Sequence, residues 1–141
     1  MSKIIWVDDD INRPELRAER DELEERGCEI VPVRDADDFL EMLKKKKENF
    51  DYDGVIIDLS MPVGTEFTLN EAAFGSRTGL LLMKTIRENE LFCNVKLIVY
   101  SIVDSDEVDK ECKKYGALYL KKANLFSYEF ADKVMEWVNG E

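Results

Sequence analysis

Acidic, hydroxyl and basic side chains follow four apolar runs of this sequence, at the point where each run ends. In chain order these side chains are Asp8 and Asp9, then Asp58, then Ser101, then Lys121 and Lys122. Carboxylates brought together repel one another, and burial increases the cost. A divalent cation relieves that repulsion, and Mg2+ typically takes one or two carboxylates together with water. The residue types therefore indicate a magnesium site with a lysine beside it.

Phosphoryl transfer is the chemistry that this set of groups favours. An aspartate beside Mg2+ is a competent nucleophile toward phosphorus and would form an acyl phosphate. The cation would stabilise charge on the transferring phosphoryl oxygens, while a serine hydroxyl and a lysine would contact the same oxygens. Each group alone is weak evidence, because carboxylates after strands are common. Four strand ends with suitable groups in the right order make a strong pattern.

The apolar runs bring these groups together only if they are strands of one parallel sheet. Strands are predicted at residues 3–7, 28–33, 55–59, 95–101 and 118–120, and helices at about 12–27, 35–47, 80–89, 106–115 and 126–138. Such alternation predicts an α/β fold, a doubly wound five-stranded parallel sheet with five helices. The continuous run before Asp58 is typical of a strand buried on both faces. Pro32 predicts that the second strand lies near a sheet edge.

Some finer features of the helices follow from single residues. Gly27 and Gly116 are placed as C-terminal caps of the first and fourth helices. Leu16, Ala18 and Leu23 are predicted to form the thin apolar side of the first helix. In the second helix Phe39, Leu40, Met42 and Leu43 are predicted to point inward.

Composition narrows the class of protein. The 141 residues predict one domain, and a formal net charge of -11 argues against nucleic-acid binding. The chain has no histidine, which excludes Ser-His-Asp and Cys-His mechanisms, and its three cysteines show no metal-binding spacing. No run has the length of a membrane span and no signal peptide precedes the first strand. We therefore expect a cytoplasmic protein that binds neither nucleic acid nor membrane.

With these strand ends the chain resembles the receiver domain of two-component response regulators, over almost its whole length. The matching motifs are Ile4 to Asp9, Val55 to Pro62, Leu97 to Ser101, Gly116-Ala117 and Tyr119 to Lys122. The resemblance implies a flavodoxin-like fold with strand order 2-1-3-4-5. It also implies a single, stand-alone receiver domain over residues 1–141.

The resemblance implies a role for each residue of the pattern. Asp58 would be the phosphoacceptor, loaded with Mg2+ by a sensor histidine kinase or phosphotransfer protein. Direct Mg2+ ligands would be Asp9, Asp58 and the backbone carbonyl of Ser60, and Asp8 would act through a bound water. Ser101 would be the switch hydroxyl and Tyr119 the switch aromatic. Lys122 would contact the phosphoryl group. Output would pass to a downstream effector protein through protein–protein contacts. The chain would not be an enzyme beyond self-directed phosphoryl transfer and autodephosphorylation.

The sequence also departs from the family pattern. Ala123 stands where the family usually has proline, and bulky Ile102 stands where a small residue usually follows the switch hydroxyl, which would narrow access to Asp58. The spacing before Tyr119 leaves Lys121 as a minor candidate for the phosphate contact. Gly79 follows the predicted acceptor by 79 minus 58, or 21, residues. We therefore expect an inserted loop at residues 62–78, either a lid or partner surface or a tolerated insertion.

Two further hypotheses stay open at this stage. One keeps the fold and drops the chemistry, so that the chain is a phosphorylation-independent interaction module, a pseudo-receiver. The other is a phosphohydrolase of the haloacid dehalogenase type, in which Asp8 and Asp10 would form the first motif. The second hypothesis leaves Asp58 unexplained and lacks the later acidic pair that such enzymes need.

Overall fold

A computed structural model describes residues 2–45, 51–61, 77–89 and 92–140. The strands are β1 (Ser2–Val7), β2 (Cys28–Val33), β3 (Gly54–Ile57), β4 (Lys96–Ser101) and β5 (Ala117–Lys121). The helices are α1 (Arg17–Glu25), α2 (Ala36–Lys45), α3 (Thr78–Glu88), α4 (Asp106–Lys114) and α5 (Ser127–Asn139), with 3-10 turns at Pro14–Leu16 and Lys122–Asn124. The predicted alternation is confirmed. Most of the predicted inserted loop, residues 62–76, lies outside the described residues.

The five strands form one parallel sheet in the order β2-β1-β3-β4-β5. The predicted flavodoxin-like order, with β1 and β3 adjacent at the centre, is confirmed. β2 is an edge strand, as Pro32 predicted, and the ring of Pro32 is exposed. In the pairing of β1 with β3, Val7 lies opposite Ile57. This register decides which side chains meet where the two strands end.

Alternation along the strands gives the sheet two apolar faces. One face, with Ile5 and Val7, packs against α2, α3 and α4, and the other, with Ile4 and Trp6, packs against α1 and α5. On the second face the ring of Trp6 stacks on Phe130 with ring centroids 5.4 Å apart. Both faces are therefore covered by helices, as a doubly wound sheet requires.

The predicted apolar side of α1 is partly wrong. Leu16 and Leu23 are buried, whereas Ala18 is exposed. Ala18 lies five positions before Leu23, a spacing that directs two side chains to different faces of a helix. In α2, Met42 is only half-buried while its predicted partners are buried. None of the described helices has the length and apolar character needed to cross a membrane.

Two kinds of glycine position the chain around the sheet. Gly27 and Gly116 follow α1 and α4 with φ of 87° and 68°, the left-handed conformation predicted for caps. Gly79, in the first turn of α3, lies against the end of β3. A Cβ atom there would come 2.2 Å from the backbone oxygen of Asp58 and 2.8 Å from the Cα of Leu59. The start of α3 therefore packs directly on the backbone that carries Asp58.

Candidate functional site

The central strands β1 and β3 each continue by one residue into a buried carboxylate. The backbone N–H of Asp58 donates to the carbonyl of Val7 at 3.0 Å, so the ladder extends past the end of β3. Because Val7 lies opposite Ile57, the next step of the register places Asp8 beside Asp58. Asp8 is 0% exposed and Asp58 is 6% exposed. Two adjacent buried carboxylates need a compensating positive charge.

Lys122 supplies that charge. Its Nζ lies 3.0 Å from Oδ2 of Asp8 and 3.6 Å from Oδ2 of Asp58. Burial by itself would lower the pKa of Lys122, but the carboxylates of Asp58 and Asp8 outweigh it and raise the pKa. The lysine therefore stays charged. We call Asp8, Asp58 and Lys122 the carboxylate–lysine site.

Lys121, the minor candidate for the same contact, lies elsewhere. Its Nζ is 2.7 Å from Oδ1 of Asp104, in the segment between β4 and α4, and 5.6 Å from the ring centroid of Tyr119. The structure therefore brings Lys122, and not Lys121, to the buried carboxylates.

The pKa of the Asp58 carboxyl group lies well above that of an ordinary aspartate. Burial and the neighbouring charge of Asp8 raise the pKa of Asp58 to about 6. The charge of Lys122, the hydroxyl of Ser101 and the backbone N–H of Ser60 act in the opposite direction, because each favours the ionised form. A bound divalent cation would favour that form further.

Three consecutive aspartates form the acidic group next to this site. One carboxylate oxygen from each of Asp8, Asp9 and Asp10 lies within 4.8 Å of the other two, and the backbone N–H of Asp10 donates to Oδ1 of Asp8 at 2.9 Å. Burial, followed by the charges of Asp10 and Asp8, raises the pKa of Asp9. Closely spaced carboxylate oxygens are the donors that Mg2+ and Mn2+ prefer. The donor set fits such a cation.

The predicted magnesium ligands do not include Asp10, although its position directly after Asp9 is a signal in the sequence. The predicted roles of Asp9 and of the Ser60 carbonyl as direct ligands stay predictions. The structure joins Asp58 to the acidic group through Lys122 and the adjacent Asp8.

Ser101 and Tyr119 are linked through one backbone position, Val103. The buried hydroxyl of Ser101 accepts a hydrogen bond from the backbone N–H of Val103 at 3.3 Å. The hydroxyl of Tyr119 donates to the carbonyl of the same residue. Both predicted switch residues thus form hydrogen bonds with Val103, and no pattern in the sequence indicates this connection.

Comparison with solved structures identifies the architecture. CheY4, a chemotaxis protein of Vibrio cholerae, superposes with a TM-score of 0.69 and 24% identity over 98% of each chain. A CheY-like receiver domain from Methanospirillum hungatei gives a TM-score of 0.72 and 20% identity over 99% of this chain and 95% of that one. This chain has the receiver fold.

A third similar structure is the Mn2+-bound form of the response regulator Rcp1, with a TM-score of 0.70 and 14% identity over 97% of this chain and 94% of that one. No protein-family model and no curated protein matches the sequence. Because the identities to these structures are 24% or lower, the likeness to receiver domains shows the fold alone.

Two of the departures from the receiver pattern, Ile102 and Ala123, lie at the surface of this receiver fold. Ile102 is 74% exposed, and its side chain lines a cavity together with Tyr100 and Lys122. Ala123 is exposed within the 3-10 turn Lys122–Asn124. That turn nevertheless delivers Lys122 to the two buried carboxylates. The effect of either departure on phosphorylation stays a prediction.

Proposed function

We propose that this chain is a phosphorylation-dependent signalling switch, a single receiver domain over residues 1–141 with an inserted loop at 62–78. Asp58 would accept a phosphoryl group from a sensor histidine kinase or phosphotransfer protein, with Mg2+, and the phosphorylated chain would contact a downstream effector protein. The observation that carries the proposal is Lys122, whose Nζ lies 3.0 Å and 3.6 Å from two buried carboxylates. The receiver fold supports it.

Each residue has a definite part in the proposed step. A carboxylate oxygen of Asp58 attacks phosphorus, the bond from phosphorus to the donor breaks, and the leaving group keeps the electron pair. Lys122 pairs with one phosphoryl oxygen and the hydroxyl of Ser101 donates to another. When bound, Mg2+ supplies positive charge to the carboxylates and phosphoryl oxygens. Attack of water on phosphorus later breaks the bond from phosphorus to the carboxylate oxygen, which restores the carboxylate and releases inorganic phosphate.

The contacts of Val103 suggest how the state of Asp58 reaches the surface. A hydroxyl of Ser101 that turns toward a phosphoryl oxygen withdraws from the N–H of Val103, to which it is now bonded. Movement of Val103 then disturbs the hydrogen bond that its carbonyl accepts from Tyr119. The segment between β4 and α4 is therefore the surface that we expect to change.

Acetyl phosphate tests the proposal without knowledge of the natural donor. Incubation with Mg2+ should add the mass of one phosphoryl group, and reduction with borohydride followed by peptide mapping should place it at Asp58. Asp58→Asn should remove the addition, whereas Asp51→Asn, an exposed aspartate outside the site, should not. Absence of any phosphoryl addition to the unchanged chain, or its persistence in Asp58→Asn, would overturn the proposal.

A phosphorylation-independent module is the second candidate. The observations that favour it are Ile102 and Ala123, two exposed departures from the receiver pattern beside the site. Fluorescence of Trp6 during Mg2+ titration distinguishes the switch from the module. Trp6 lies two residues before Asp8, so its emission should respond to Mg2+ bound at the acidic group. Trp137→Phe removes the only other tryptophan. A saturable response at millimolar Mg2+ supports the switch, and no response supports the module.

The phosphohydrolase hypothesis gives no role to Asp58 or to the contact between Asp58 and Lys122. Steady turnover of p-nitrophenyl phosphate, abolished by Asp10→Asn and retained by Asp58→Asn, would revive it.

A further inference from the structure

A cavity of about 320 Å3 lies beside Lys122, on the face of the sheet that α1 covers. Its lining comes from the segment between β1 and α1, from α1 itself, and from the ends of β4 and β5. The lining residues are Asp10, Glu15, Leu16, Glu19, Tyr100, Ile102 and Lys122. Small-molecule sites in proteins begin at roughly 300 Å3. The cavity is therefore large enough for a small ligand or one long side chain.

The cavity carries an excess of negative charge. The carboxyl groups of Asp10, Glu15 and Glu19 line it, against the single ammonium group of Lys122. That ammonium group is directed at the carboxylate–lysine site, 3.0 Å and 3.6 Å from its two carboxylates. Asp10 has a partial partner in Arg13, whose Nη1 lies 3.2 Å away. The remaining negative charge belongs to the two glutamates.

Glu19 shows what the cavity lacks. Its Oε2 atom is buried and has no hydrogen-bond partner in the described part of the chain. Among the same residues, neither Glu15 nor Glu19 forms an ion pair, although many exposed carboxylates do. Burial raises the pKa of Glu19, while its own backbone N–H and the charge of Lys122 act in the opposite direction. The carboxyl group therefore has few donors, and the cavity favours a ligand that donates hydrogen bonds.

The other walls of the cavity are apolar or aromatic. Leu16 is buried, and Ile102 extends over the rim with 74% of its surface exposed. The ring of Tyr100 already has one cation near it, since Nζ of Lys122 lies 5.7 Å from its centroid. Aromatic rings attract cations, and aliphatic side chains pack against a hydrocarbon stem. The complementary ligand is a cationic head group on an aliphatic chain.

We propose that this cavity binds a guanidinium or primary ammonium group carried on a short aliphatic stem. The head group donates hydrogen bonds to Glu19 and Glu15, and the stem packs on Leu16 and Ile102. Binding does not depend on phosphorylation of Asp58, so this inference stands or falls separately from the proposed function.

Agmatine is the probe for the first experiment, in metal-free buffer at low ionic strength. Titration of 15N-labelled protein should give saturable chemical-shift changes centred on the amides of Glu19, Ile102 and Lys122. N-butylurea, an uncharged analogue of similar shape, should give none. Added sodium chloride should weaken agmatine binding, because the attraction is between charges.

Two variants of α1 separate the cavity from the general acidity of the chain. Glu19→Gln should weaken agmatine binding about tenfold, the effect of losing one charge-assisted hydrogen bond. Glu25→Gln makes the same change of charge on the exposed side of α1 and should leave binding unchanged. Ile102→Ala should weaken agmatine binding, because it removes the apolar side chain at the rim of the cavity. The side chain of Ile102 is exposed, so its truncation should not affect folding.

Agmatine and the tripeptide acetyl-Ala-Arg-Ala-amide distinguish a free cation from a side chain of a protein partner. Tighter binding of agmatine supports a free small molecule, and tighter binding of the tripeptide supports an arginine presented by a partner. The proposal is overturned if neither ligand binds, if N-butylurea binds as well as agmatine, or if Glu19→Gln binds as tightly as Glu25→Gln.

Discussion

Two consecutive lysines at the end of β5 lie in opposite surroundings. The side chain of Lys122 is 16% exposed and faces Asp8, which is 0% exposed. The side chain of Lys121 is 34% exposed and faces Asp104, which is 72% exposed. Breaking a buried pair leaves a charge without compensation, whereas water and salt screen an exposed pair. The two lysines are adjacent in the sequence, but their ion pairs therefore contribute differently to the free energy of unfolding.

The difference arises from strand geometry. Leu120 belongs to the core beneath α1 and α5, and Tyr119 packs on the core beneath α2, α3 and α4. Successive side chains alternate across a sheet, so Lys121 follows Tyr119 toward α4, and Lys122 reaches the opposite side. The end of β5 thus serves both the proposed chemistry and the proposed readout.

Removal of the buried cation should have the largest effect. Lys122→Met leaves Asp8 and Asp58 adjacent and uncompensated, which should lower the free energy of unfolding at pH 8 by about 4 kcal/mol. Added Mg2+ should restore part of the loss. Urea unfolding at pH 8, with and without Mg2+, measures both effects. An unchanged unfolding midpoint would show that Lys122 does not compensate these carboxylates.

Asp58→Asn should stabilise the fold at high pH. Burial and the charge of Asp8 raise the pKa of Asp58 to about 6 in the folded state. The protonated side chain therefore stabilises the fold fully at a pH below the pKa that Asp58 has in the unfolded chain. This contribution to the free energy of unfolding is lost as pH rises through about 6. Asparagine stays neutral, so the variant should gain on the order of 3 kcal/mol at pH 8. Most of the gain should disappear as pH falls to 4. Urea unfolding of both chains between pH 4 and pH 8 measures the difference in free energy of unfolding. A difference that does not change with pH would contradict the raised pKa of Asp58.

Tyr119→Phe should have a smaller effect, because it removes one hydrogen bond and keeps the ring. The carbonyl of Val103 loses its donor, which should lower the free energy of unfolding by about 1 kcal/mol. Amide shifts of the segment between β4 and α4 should change, while those of Asp8 should not. Changes that centre on Asp8 instead would place Tyr119 in the site rather than in its readout.

Lys121→Met should have the smallest effect and is the matched control for Lys122→Met. Its ion pair with Asp104 is exposed, so thermal unfolding in moderate salt should show no resolved change in stability. The response to acetyl phosphate should persist. Loss of that response in Lys121→Met, with retention in Lys122→Met, would reverse the assignment of the two lysines.

The centre of the fold was predictable because one signal dominates there. A short continuous run of β-branched residues before Asp58 favours a buried strand, and the position of Asp58 at its carboxyl end then follows from parallel topology. Helix faces were harder to predict: Ala18 is small enough to be exposed or buried, and the 3-10 turn Pro14–Leu16 that precedes α1 has no distinct sequence pattern.

Hydrogen bonds to backbone groups outside helices and strands were not predictable. Arg87 donates to the backbone carbonyls of Tyr115, Cys93 and Val95, at 2.6, 2.8 and 2.6 Å. Such partners are backbone groups and carry no residue type that a pattern can reveal. The same holds for Val103, whose two hydrogen bonds connect the switch residues through its backbone. By contrast, side chains alternate along a strand, so Lys121 is expected on the same face as Tyr119 and Lys122 on the other. The sequence could therefore have predicted that Lys122, and not Lys121, contacts the buried carboxylates.

The most direct test of switching at Asp58 is the response of its neighbours to a phosphoryl mimic. Beryllofluoride with Mg2+ should shift the amide resonances of Ser101, Val103 and Tyr119 in the unchanged chain, and should leave them in place in Asp58→Asn. Lys121→Met should respond as the unchanged chain does. Unshifted resonances in the unchanged chain, or equal shifts in Asp58→Asn, would contradict the proposal that this receiver fold is switched at Asp58.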